Sequence, residues 1–128
     1  MNEALLQSFG QLQQRLIDQR GPLNLFALVE REDLPERWDL LIAAPWTKNR
    51  QQTVKFVVGE IQQLIGASVL TSLSRILLFD SNDPVVSGLA SGITVEGGRA
   101  NIRDCTFNGI AIKHGYIYTA SQRGYPAK

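Results

Sequence analysis

The chain has 128 residues, of which 44% are hydrophobic and 20% charged, and a formal net charge of +1. This is enough for one domain with its own core, and the near-neutral balance argues against a surface field built for nucleic acid or membrane. The single cysteine, Cys105, excludes an intrachain disulfide and a cysteine-built metal site.

An unpaired thiol fits a reducing compartment. The opening residues lack the basic and apolar blocks of a signal peptide, and no apolar run reaches membrane-spanning length. A cytoplasmic setting without membrane contact is the expectation. Eight of the twelve acids fall in residues 1–60, and none follows Asp104. The C-terminal end is therefore mildly basic.

Leu5, Phe9, Leu12 and Leu16 recur at helical spacing, widened by Leu6 and Ile17, with Asn2 as cap and Gly21-Pro22 as stop. The seam also offers a surface for self-association. Leu23 to Glu30 reads as a strand and Trp38 to Ala44 as a second one, apolar on both faces. The charged, Pro35-bearing linker between them makes a hairpin. Asn49 to Ile65 carries the clearest helical stripe, from Val54 to Ile65, with Asn49 and Gln52 placed as a capping box. Residues 68–74 fit a short helix or a connector. Ile76-Leu77-Leu78-Phe79 is a buried strand reached by a parallel crossover. Asp83-Pro84 opens another helix, ending before Gly92.

The remainder reads as an antiparallel meander with two tight turns, Glu96-Gly97-Gly98-Arg99 and Phe107-Asn108-Gly109-Ile110, because glycine and asparagine accept the positive φ of two-residue hairpin loops. Residues 121–128 read as a flexible tail. These elements predict an α+β fold over residues 1–120: one mixed sheet of about five or six strands, helices packed on it, and the meander at the end.

The second turn sets cross-strand neighbours. Arg99 faces Tyr118, Asn101 faces Tyr116 and Arg103 faces His114. These six form the candidate ligand-binding ladder. Arginine can hold a phosphate or carboxylate and tyrosine can stack a base, which makes nucleotide or single-stranded nucleic-acid binding one reading; plain cross-strand pairing in a structural sheet is the other. His114 is the only histidine, so acid–base catalysis would rest on it. The register also places Cys105 near it on the same face, a possible nucleophile–base pair. An apolar face that changes side along the hairpin implies twist, a bulge, or cover on both faces.

Asp80 and Asp83 follow a buried strand, where ligands and Mg²⁺ sit in α/β sheets; a turn and a helix cap explain them as well. Trp38 and Trp46 flank the second strand as candidate anchors or core residues. No phosphate-binding glycine loop, His-Glu-x-x-His or Gly-x-Ser-x-Gly occurs. No cofactor is implied. The leading expectation is a non-catalytic binding or protein-interaction module with a protein partner or a second copy, ahead of a small enzyme built on His114.

Overall fold

A computed structural model describes residues 1–107 and 109–127. The first helical stripe forms α1, Glu3–Arg20, capped by Asn2, whose Oδ1 accepts from the Leu5 N–H at 2.8 Å. Gly21, at φ 115°, ends it. Two strands follow, β1 (Leu23–Arg31) and β2 (Trp38–Ala43), then α2 (Arg50–Leu64), capped by the Asn49 side chain. Residues 67–71 form a 3₁₀ turn before β3 (Leu73–Phe79). Asp83 caps α3 (Pro84–Gly92) with Pro84 in the first turn. The chain closes with β4 (Ala100–Phe107) and β5 (Ile110–Tyr125).

The fold is α+β. Among the described residues, five strands form one mixed sheet in the order β3-β2-β1-β5-β4, in which only β2 and β3 run parallel. Helices α1 and α2 cover one face. Phe9, Leu12, Leu16, Val57 and Ile61 meet Phe26, Leu28, Leu40 and Ile42 there, all of them fully buried. Short α3 covers the other face, setting Val85 and Val86 over Leu25, Ala27, Leu41, Ala43 and Ile117. β1 and β2 therefore face apolar neighbours on both sides, which is why they read as nearly unbroken hydrophobic runs. The α1 seam is consumed by this core. Among the described residues no helix is long and apolar enough to cross a membrane.

The β4–β5 hairpin forms in the expected register: Asn101 pairs with Tyr116, Arg103 with His114, Cys105 with Ile112, and Phe107 with Ile110 across the loop. Gly109 takes φ 78° in that loop. Asn108 of the expected Asn-Gly turn and Lys128 of the expected tail lie outside the described residues.

The first expected turn is not a hairpin. Val95 pairs with Ala120, and Ala100 with Ile117, both on β5. Residues 96–99 thus continue along the edge that β4 occupies, with two extra residues looped out as a bulge. Gly97 (φ 69°) tolerates this because a side chain there would run into the Tyr125 ring. Glycine's permissive φ serves a bulge as well as a turn, and the choice is made by pairing with distant β5.

The expected tail also begins inside the sheet. β5 runs to Tyr125, Ser121 is buried, and Ser121 and Arg123 both donate to the Glu96 carboxylate on the bulge.

Candidate ligand pocket at the Glu30–His114 row

β1 lies between β2 and β5, and its register sets a row of side chains across the sheet. Glu30 stands opposite Trp38 of β2 on one side and His114 of β5 on the other, and His114 stands opposite Arg103 of β4. The row lies on the α1 face, at the end where that helix begins. Met1, Leu5, Glu36 and Ser72 join Glu30, Trp38 and His114 around a pocket of about 270 Å³.

The aromatic groups are packed together. The Trp38 ring stacks on Tyr116 at 5.6 Å, His114 tilts against Tyr116 at 4.5 Å, and the Trp38 and His114 centroids are 6.1 Å apart with their planes at 58°. Trp38 and His114 therefore form two inclined walls backed by Tyr116. Glu30, only 8% exposed, lies between them. Its Oε2 accepts from the Glu36 backbone N–H at 2.5 Å, an amide presented by a residue held at φ 67°.

His114 is partly exposed, but its Nε2 is buried with no hydrogen-bond partner among the described residues. Burial first, and then repulsion from Arg103, push the imidazole below its ordinary pKa. Glu30 pulls it the other way and the Met1 ammonium adds slightly to the lowering. The ring is therefore uncharged at neutral pH.

The rest of the ladder is occupied within the fold. Arg99 holds both carboxylate oxygens of Glu3 at 2.8 Å. Tyr118, 3% exposed, meets Phe26 edge-on and donates its hydroxyl to the Leu6 carbonyl at 2.5 Å. Its pKa is pushed up to about 12, chiefly by burial. Tyr116 is likewise enclosed, whereas Asn101 and Arg103 are exposed. Neither tyrosine presents an open ring face for a base.

Cys105 and His114 are on opposite faces of the sheet, contrary to the expected pairing. Cys105 packs with the α3-side cluster, whereas His114 contacts Trp38 and Tyr116 on the α1 side. Two irregularities explain the switch: Asp104 takes φ 50°, and the β1–β5 register shifts between Glu30 and Arg31. The expected change of apolar face along the hairpin is thus a bulge.

Asp80 and Asp83 lie at the far end of the sheet, past the ends of β2 and β3. Asp83 caps α3 through Oδ1 to the Val85 N–H, at 2.9 Å, and Asp80 is exposed. A cleft of about 760 Å³ opens beside Asp83 and is bordered by Ser81, Asn82 and Arg123. Among the described residues no group of three or more His, Cys, Asp or Glu side chains assembles for a metal ion. Trp46 donates its Nε1 hydrogen to the Gly21 and Pro22 carbonyls, tying α1's exit to the end of β2.

Of the pocket residues, only Trp38 and His114 are candidates from the sequence; Glu30, Glu36, Met1, Leu5 and Ser72 are not. A signal was present for Glu30, since strand alternation puts it on the parity of Phe26 and Leu28, the core side of β1. Comparison with family models, curated proteins and solved structures gave no match to this chain.

Proposed function

We propose that this chain is a small non-catalytic binding module whose ligand sits in the pocket between the start of α1 and the Trp38–Glu30–His114 row. The observation that carries this reading is the convergence of a buried carboxylate, Glu30, with the Trp38 indole and the His114 imidazole around a concavity open to solvent. Ligand sites combine apolar walls with a few placed polar groups in this way. The non-catalytic part is supported by His114 itself. A general base is usually oriented by a second polar group, but among the described residues none hydrogen-bonds either ring nitrogen, Nε2 is sealed, and Cys105 is across the sheet.

A fragment screen read by the Trp38 indole and His114 ring resonances tests the proposal. The expected result is saturable shifts at those two residues together with Leu5 and Glu36. Shifts confined to the cleft beside Asp83, or turnover of a bound fragment, would refute it.

A further inference from the structure

The buried acids are not treated alike. Asp39, 2% exposed, is held by Arg75 at 2.7 Å and by Arg31 at 3.6 Å. Glu60, 8% exposed, has the Arg15 guanidinium 2.5 Å from its Oε2 as counter-ion, although the contact lacks hydrogen-bond geometry. Glu30 is as buried as Glu60, yet among the described residues no Lys, Arg or terminal ammonium lies within ion-pair distance of it. Its Oε2 has the Glu36 amide, and no described residue donates to Oε1. Oε1 is not sealed in the core but opens on the pocket, and a largely buried carboxylate without a counter-ion favours a cation arriving there.

We propose that the pocket receives an organic ammonium group, with the Glu30 carboxylate as its counter-ion and the Trp38 and His114 rings as its walls. This rests on the reading that the pocket is the ligand seat and names the ligand class. A cation over an aromatic face is attracted by the ring quadrupole; Trp38 is 5% exposed with Tyr116 stacked on one face, so the partly exposed His114 ring is the more open of the two walls. Glu36 adds a second carboxylate at the rim, among the described residues no lysine or arginine lines the pocket, Arg103 acts on His114 from β4 outside it, and uncharged His114 does not repel a cation. Leu5 and Met1 supply apolar contact for alkyl substituents. The Met1 ammonium is near enough to act on His114 but forms no ion pair with Glu30. The volume of about 270 Å³ suits a small alkylammonium or the end of a lysine side chain.

The test titrates the full chain with tetramethylammonium, n-butylammonium, a short lysine-bearing peptide and neutral tert-butanol, following the Trp38 and His114 resonances. The ammonium probes should give saturable shifts that weaken as salt rises, and tert-butanol should not. Glu30→Gln keeps the shape and removes the charge, and should weaken ammonium binding about tenfold or more. Tighter binding of the peptide than of butylammonium would identify a protein partner as the source of the group, and the reverse would identify a free amine. If tert-butanol shifts the same signals as strongly as butylammonium, the ligand class is wrong while the seat stands. If no probe or fragment moves either signal, both readings fail. Should Glu30→Gln not fold, the salt dependence and the neutral control on the unaltered chain decide the matter.

Discussion

Replacing His114 by phenylalanine should stabilise the protein. Burying a polar nitrogen without a partner costs about 1–3 kcal/mol, and Nε2 of His114 is in that state. Phenylalanine keeps an aromatic ring against Trp38 and Tyr116, and the pocket beside it accommodates the slightly larger ring. Allowing for imperfect repacking, a net gain of about 1 kcal/mol is expected at neutral pH. That corresponds to a rise in melting temperature of about 4 °C for a chain of this size. A pH dependence follows as well. The imidazole is held below its ordinary value in the folded protein, whereas the unfolded chain titrates near about 6.5. Between those values the unfolded chain binds a proton that the folded one does not. This contribution to stability is therefore fully present above about 6.5 and is lost as pH falls through the window toward the folded value. The chain has one histidine, so this component disappears in the variant. Urea unfolding of both proteins at about pH 7.5 and about pH 5.5 measures the effect, and the variant's advantage should widen at the lower pH. A variant less stable at both values, or one with the same pH slope as the parent, would refute the reasoning.

Gly97→Ala should destabilise by about 2–3 kcal/mol, because the residue is held at φ 69° and its new methyl meets the Tyr125 ring. An unchanged chemical-denaturation midpoint would show that the bulge is absent or freely rearranged. The Glu96 carboxylate, held chiefly by Arg123 and then by Ser121, should titrate at about 2; its contribution to stability is present above the ordinary carboxylate range and is lost as pH falls toward about 2. Side-chain carboxyl NMR on Arg123→Ala should find it returned toward the ordinary range, and an unmoved titration would deny the ion pair.

The sequence was most legible where structure is local. Asn2, Asn49 and Asp83 marked the helix starts because a cap acts within three residues, and the register of the β4–β5 hairpin followed from its short loop. Legibility failed where a distant strand decides. Gly97-Gly98 carries the local chemistry of a hairpin turn, and only the pairing of Val95 with Ala120 makes it a bulge. Cys105 and His114 would share a face on a regular hairpin, but the Asp104 backbone and the β1–β5 shift separate them. Glu30 and His114 meet only because the first strand lies beside the last, a neighbourhood that no short window of sequence contains.

That neighbourhood also governs the order in which the molecule can be assembled. β1 gains β2 within a few residues of synthesis, but its other edge waits for β5, Ile110–Tyr125. Helix α1 waits too, since its Leu6 carbonyl and its buried Gln13 bind Tyr118 and Thr119 of β5. A nascent chain stopped before residue 110 leaves the central strand with a bare hydrogen-bonding edge and the α1 stripe without part of its floor. Such intermediates are open to strand pairing with other chains. Arrested nascent chains should therefore remain protease-sensitive through the emergence of β4, and become resistant in a single step once β5 clears the ribosome.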